Sequence, residues 1–416
     1  MKPPAQLNGL ARIYREFPRH FWAVVGVSFI DRVGHTMLFP FFSLYITARF
    51  KVGMTEAGIV LGILSLFGMF GNVTGGALAD RLGRRKPILF GLVASAVSTL
   101  SLGLAGDMRT LYVLAVFVGL LSRVAGPAHH AMIADMLPEK QRAEGFAILR
   151  VTTNLAWMVG PVIGGFVATR SYLALFITDA VASCVVALLF YHLIPETRPE
   201  PHPDEEHESL GRTFIGYLHV LADRPYLAFV VAMALCGLVY IQLYNTLSVY
   251  LRDVHGLGSQ HYGLLMTSSA MTVILFQFWT IRRLNRKPAF LMMALGSFFY
   301  LVGFSLFGVA AGFWLFALNI VIVTVGEMIV IPLGQALAAA FAPEQMRGRY
   351  MAVYGLAWSI PEMLGPAGAG LILDNYDPNL LWYLCGLVCA VPVLALVWLQ
   401  MRIGRQERFA ELLQKD

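Results

Sequence analysis

The chain has 416 residues, 57% of them hydrophobic and only 13% charged, with a mean hydropathy of +0.66. That is too little polar surface to coat a soluble globule of this length, so a water-soluble fold is excluded and an integral membrane protein is indicated. Apolar runs of about 20 residues suit helices crossing a hydrocarbon core of ~30 Å, and they lack the alternation of barrel strands.

In chain order, Met1 to His20 is polar and basic, with Leu10, Ile13, Tyr14 and Phe17 spaced for a short interfacial amphipathic turn. No cleavable signal peptide is expected there. Spans are predicted near residues 20–47, 55–79, 87–106, 110–135, 142–169 and 172–194. Six more follow near 225–252, 260–282, 288–309, 313–338, 346–372 and 378–402. Pro40, Pro127, Pro161, Pro332, Pro361, Pro366 and Pro392 fall inside spans, where neighbouring helices can absorb a kink. The expected organisation is a six-helix bundle over 1–194, a linker over 195–224 rich in Pro, Glu and His, a second bundle over 225–402 and a tail over 403–416. Cys184, Cys236, Cys385 and Cys389 all lie in predicted spans, so neither disulfides nor a bound metal is expected.

Lys and Arg alternate between the loops. The N-terminal arm, the loop with Arg81, Arg84, Arg85 and Lys86, the pair Lys140 and Arg142, the linker, the run Arg282 to Lys287, Arg347 with Arg349, and the tail carry most of them. The opposite loops hold Arg49, Lys51, Arg109, Arg170 and Arg252. By the positive-inside rule both termini are expected in the cytoplasm of a bacterium, with the protein in its inner membrane. The net charge of +6 is then a topology signal and no nucleic-acid partner is expected.

The chain repeats itself at an offset of 205 residues. Ser43-Leu-Tyr-Ile46 falls on Ser248-Val-Tyr-Leu251, Gly58 on Gly263, Pro127 on Pro332, and Gly160-Pro161 on Gly365-Pro366. Two homologous bundles of this kind place substrate between them near the bilayer midplane.

The segment Gly76-Ala-Leu-Ala-Asp80-Arg81-Leu-Gly83-Arg84-Arg85-Lys86 resembles the loop between spans 2 and 3 that marks the major facilitator superfamily, and the likeness extends over essentially the whole chain. The resemblance implies an all-α fold of twelve membrane helices in two pseudo-symmetric six-helix bundles. It implies a gate in which Asp80 meets the start of span 11 while Arg84 pairs with Asp135 at the end of span 4. Read from chemistry alone, the same arginines serve as charge-assisted latches or only as positive-inside anchors. In span 5, Ala156-Trp-Met-Val-Gly160-Pro161-Val-Ile-Gly164-Gly165 is similar to the Gly-Pro pattern of the antiporter branch, although Ala147 and Ala156 stand where that pattern prefers glycine. Close helix packing would explain the same glycines.

Charges inside spans are the leading site candidates, because each costs roughly 2.5 to 3.5 kcal/mol at the bilayer centre. They are Asp31, Arg32 and His35 in span 1, Arg123, His129 and His130 in span 4, Arg150 in span 5, Asp179 in span 6, Glu327 in span 10 and Glu362 in span 11. Glu327, in Thr324-Val-Gly-Glu327-Met, is similar to the span 10 segment of exporters of lipophilic cations, and a carboxylate in an apolar cavity can exchange a proton for a competing cation. A structural ion pair with Arg123 or Arg32 is the alternative. Arg123 also resembles the span 4 arginine associated with proton coupling. Asp31 is a second protonation site or is neutralised by a basic neighbour, and Asp179 is expected to be structural on a peripheral helix. Arg150, Asn154 and Trp157 form one stripe and Tyr354, Trp358 and Glu362 another, while Tyr240, Gln242, Tyr244 and Asn245 offer aromatic and hydrogen-bonding groups.

The expectation is a monomeric secondary transporter driven by the proton gradient, without a cofactor, exporting hydrophobic cationic molecules. Transport of a defined solute such as a sugar, amino acid or anionic lipid is the first alternative, and a membrane sensor or enzyme the second. Against an enzyme, no nucleophile elbow, phosphate loop or zinc helix motif occurs. The linker residues His202 to Glu208 read either as a flexible acidic segment or as metal ligands.

Overall fold

The computed structural model describes residues 14–197, 219–284, 287–343, 346–404, 406 and 409. Leu10, Ile13, the linker run His202 to Glu208 and the positions of Asn285 and Arg286 therefore lie outside the described residues, as does the side chain of Asp80. The described residues form helices and no strand, and eleven helical stretches, two of them made of two successive helices, are long and apolar enough to cross a membrane. Large apolar side chains such as Trp314, Val73 and Met401 stand on their outer faces, where lipid is the compatible solvent.

Contacts group the chain into two compact units, one of residues 1–39 with 66–202 and one of residues 40–65 with 203–416. The second unit thus takes in the turn between the first two spans, a grouping that order along the sequence does not suggest.

In the first unit, α1 (Arg19–Leu38) packs on α7 (Glu139–Ala168) and α8 (Tyr172–Leu193). Here α4 (Arg85–Gly103) packs on α8, α5 (Met108–Ser122) and α6 (Ala125–Met136). The second unit begins with α2 (Phe42–Phe50) and the start of α3 (Met54–Leu82). It continues through α9 (Arg224–Tyr240), α10 (Gln242–Asn245), α11 (Leu247–His255) and α12 (Ser259–Leu284). At its centre α13 (Ala289–Phe307) packs on α14 (Phe313–Phe341) and α16 (Pro378–Ile403), while α9 packs on α15 (Arg347–Asn375) and α16.

Three predicted spans are interrupted, each for an identifiable reason. Span 1 breaks into α1 and α2 through a 3₁₀ turn at Phe39–Phe41 that contains Pro40, and the charges Asp31 and Arg32 sit just before it. Span 4 breaks into α5 and α6 at Arg123, four residues before Pro127, where proline removes the N–H that the Arg123 carbonyl would accept. Span 7, with Pro225 at its first turn, has no proline near its breaks. There the Gln242 side chain donates to the Leu238 carbonyl at 2.9 Å and accepts from the Thr246 hydroxyl at 2.6 Å, so side chains enter the backbone ladder and divide α9, α10 and α11.

Pro332, the repeat partner of Pro127, leaves α14 continuous. The carbonyl it strands is that of Met328, and Gln277 on α12 donates to it at 3.1 Å. A neighbouring helix thus replaces the missing hydrogen bond.

The loop before α5 is closed by Asp107, which accepts from the Thr110 backbone N–H at 2.9 Å and from its hydroxyl at 3.0 Å. The backbone bond, ahead of the hydroxyl bond, holds this carboxyl below its ordinary value of 3.8. A depressed carboxyl stabilises the fold above that value and ceases to as acid protonates it. Acidification below the ordinary value should therefore lower the melting temperature of the parent more than that of Asp107→Ala in scanning fluorimetry.

Candidate functional site

Each unit carries its own polar cluster within the spans. In the second unit Glu327 lies at the middle of α14, and Gly326 beside it brings α13 close. A β-carbon at Gly326 would stand 2.7 Å from the Gly296 carbonyl oxygen and 2.8 Å from the Tyr300 ring, so only glycine lets that ring lie beside the carboxylate. Tyr240 at the end of α9 stands in the electrostatic neighbourhood of Glu327, and the Tyr240 and Tyr244 hydroxyls are 2.9 Å apart. The Tyr240 ring lies 5.4 Å from Tyr244, 5.9 Å from Tyr300 in a stacked arrangement, and 6.1 Å from Trp358 edge-on. A charge on Glu327 acts on Tyr240, Tyr244 and Tyr300 together.

The box is not chemically closed. Glu327 Oε2 and the Tyr300 hydroxyl are buried and have no hydrogen-bond partner among the described residues, and the same holds for Asn245 Oδ1 and the Tyr354 hydroxyl. Buried polar atoms are normally satisfied, so each of these open positions calls for an explanation. Glu362 and Trp358 are one helical turn apart on α15, and Glu362 has other interactions.

In the first unit the α1 residues Asp31, Arg32 and His35 share one electrostatic neighbourhood with α6. Arg32 acts on Asp31, His35, His129 and His130, and Arg123 acts on His35. His129 Nε2 is 3.0 Å from the Ser28 hydroxyl, and His130 packs on Phe146 with ring centres 6.0 Å apart. Arg123 extends along α3, where Gly68 would place a β-carbon 3.0 Å from its side chain. On α7, Arg150 and Asn154 are exposed, while Trp157 meets Phe39 edge-on at 6.5 Å. Gly160 on α7 faces Thr36 on α1, whose hydroxyl donates to the Ala156 carbonyl at 3.0 Å, and Pro161, Gly164 and Gly165 follow as buried positions.

Asp179 is buried to 5% exposure, accepts from the Thr99 hydroxyl at 2.8 Å and abuts α1 at Gly34, within electrostatic reach of Asp31. Thr99→Val should remove that donor and destabilise the bundle by about 1 to 3 kcal/mol. Thermal unfolding in detergent checks this, with Thr99→Ser retaining the parent value.

At the loop after α3, Arg84 Nε pairs with Asp135 Oδ2 at 3.0 Å, and Arg84 Nη1 donates to the Ala79 carbonyl at 2.9 Å. Gly83 has φ +87° and gives the turn its left-handed step. Glu196, which sequence reasoning passed over, receives the backbone N–H groups of Arg84 at 2.7 Å and Arg85 at 3.1 Å and so caps the start of α4. Arg81 is exposed, Gly76 faces Pro127 loosely, and Arg85 lies over the Tyr191 ring at 4.9 Å.

Tyr300 was also missed. Its signal is the pair Gly296 and Gly303 flanking it on α13, two close-approach positions on one helix.

A family model of the Major Facilitator Superfamily matches residues 24–326 and 259–413. The chain is 28% identical over 370 residues to a Na(+), Li(+), K(+)/H(+) antiporter of Planococcus maritimus, covering 82% of this chain and 87% of that protein. It is 22% identical to the multidrug resistance protein MdtH of Shigella flexneri, over 92% of this chain and 94% of that one. A solved POT family transporter in complex with 5-aminolevulinic acid superposes with a TM-score of 0.79 at 16% identity, covering 93% of this chain and 97% of the other, a likeness of fold alone.

Proposed function

Because the chain belongs to the major facilitator superfamily, and is thus a multi-pass membrane transporter rather than an enzyme, we propose that it exports hydrophobic cationic molecules in exchange for protons by alternating access. The observation that carries this reading is Glu327, whose Oε2 is buried and unpartnered in the electrostatic neighbourhood of Tyr240, Tyr244 and Tyr300. One carboxylate can hold a proton or neutralise a cation, but not both at once, which couples the two fluxes. The ring faces add cation–π attraction that tolerates varied shapes, so the charge is read and the outline is not. Asp31, Arg32, His35 and Arg123 form a second protonation site within the first unit. The Arg84 and Asp135 pair, with Asp80 and Arg81, governs a gate on the side of the charged loops, which is cytoplasmic. The protein acts as a monomer of the bacterial inner membrane with both termini inside.

Alkali-cation exchange is the second reading, favoured by the likeness to the Planococcus maritimus cation/H+ antiporter. Liposomes carrying the purified protein and an imposed pH gradient separate the two. Gradient-driven movement of a lipophilic phosphonium dye, unaffected by an anionic lysolipid, supports the proposal. Gradient-driven Na+ or K+ movement with no dye flux replaces it by the second reading.

A further inference from the structure

The start of α3 is capped by a residue from far along the chain. Met54 and Thr55 donate their backbone N–H groups to Asp374 at 2.9 and 2.8 Å, and the Thr55 hydroxyl adds a third bond at 2.6 Å. Asp374 stands in the last turn of α15, where a negative charge opposes the dipole of its own helix. The same charge suits the N-terminus of α3, so its placement serves the neighbour.

Glycines make the approach possible. A β-carbon at Gly53 would stand 2.7 Å from the Asp374 carboxyl carbon, one at Gly58 2.5 Å from Ala367 Cα, one at Gly62 2.6 Å from the Met363 carbonyl oxygen, and one at Gly370 2.5 Å from the Met54 carbonyl carbon. At these glycines α3 and α15 approach backbone to backbone. Arg252 on α11 adds a bond to the Thr47 hydroxyl on α2 at 3.0 Å. All these groups belong to the second unit, whereas α3 from Leu66 onward belongs to the first.

We propose that Asp374 is a releasable latch, whose carboxylate fastens the segment Pro40–Ser65 to α15 and lets go of it in each transport cycle. The inference rests on the alternating-access reading. Asp374 is exposed, so water rehydrates both the carboxylate and the freed N–H groups when the cap opens. Nothing charged is stranded in apolar surroundings, unlike at Asp179.

Two measurements test the latch. In a background without the four native cysteines, Thr55→Cys with Asp374→Cys is joined by a short bifunctional thiol reagent that reduction reverses. The latch requires flux of the phosphonium dye to fall at least about tenfold when joined and to return on reduction. Joined protein transporting at the unjoined rate overturns it. Separately, Ala57→Cys, buried in the turn before Gly58, is labelled with a membrane-impermeant maleimide. Asp374→Asn should raise the labelling rate by about fivefold, the shift expected from losing one helix cap. An unchanged rate with an intact elution profile also overturns the latch. Labelling does not depend on cargo, so failure of the dye to move in the parent protein counts against the proposed function and leaves this readout intact.

Discussion

Glu327→Gln is expected to abolish pH-gradient-driven cation flux, by at least about a hundredfold, while leaving the protein as stable as the parent or more so. Glutamine keeps the shape, the oxygen facing Tyr240 and the packing against Gly326, and it removes the ability to take up and release a proton. A charge at the bilayer centre costs roughly 2.5 to 3.5 kcal/mol on insertion scales, so a neutral amide relieves whatever part of that cost the box leaves uncompensated. Loss of activity with retained stability separates an exchange site from a structural ion pair, whose removal would destabilise. Glu327→Asp keeps the charge but draws it one methylene back from Tyr240, and flux should fall by about tenfold. Dye efflux from liposomes, paired with thermal unfolding of the same preparations, checks both variants. Full flux in Glu327→Gln would sink the proposed exchange site.

Gly75→Val should prevent recovery of folded protein, whereas Gly76→Ala beside it should be tolerated. A β-carbon at Gly75 would lie 2.8 Å from the carbonyl carbon and Cα of Val124, and one at Gly71, a turn earlier, 3.0 Å from the Leu120 carbonyl carbon. These neighbours are backbone at the junction of α5 and α6, so no side chain can rotate away. Overpacking a core costs about 1 to 3 kcal/mol even where side chains yield, and here the whole helix must shift. Against a total stability of about 5 to 15 kcal/mol, valine at this position is severe. Gly76 has its nearest neighbour, Pro127 Cβ, at 3.9 Å, which leaves room for a methyl. Size-exclusion profiles and melting temperatures in detergent give the comparison. A greater loss at Gly76 than at Gly75 would overturn this account of the packing.

Much of the molecule was legible because membrane helices advertise themselves. Long apolar runs located the spans, and Glu327 stood out as a lone acid within one of them. The interruptions were legible only in part: Pro40 and Pro127 marked two breaks, but the break at Gln242 depends on side chains whose bonding partners are decided by the fold. Tyr300 was hidden because an aromatic residue in an apolar run looks the same whether it faces lipid or a carboxylate. Asp179 was expected to be structural; what the sequence did not show is how it is held, buried against α1 where Gly34 removes the bulk that would keep the two helices apart. Asp374 was passed over for a related reason, since an acid at a helix end resembles loop solvation until the neighbouring helix start is seen beside it.

The bond from Gln277 to the Met328 carbonyl reaches further than one hydrogen bond. The two repeats carry a proline at the same place, yet the first is broken there and the second is continuous, with a residue on a different helix supplying what the proline removed. Pro332 and Gln277 therefore act together as a brace: the donor on α12 holds unbroken the helix that carries Glu327, so the geometry of the exchange site is set in part by a side chain that never touches it.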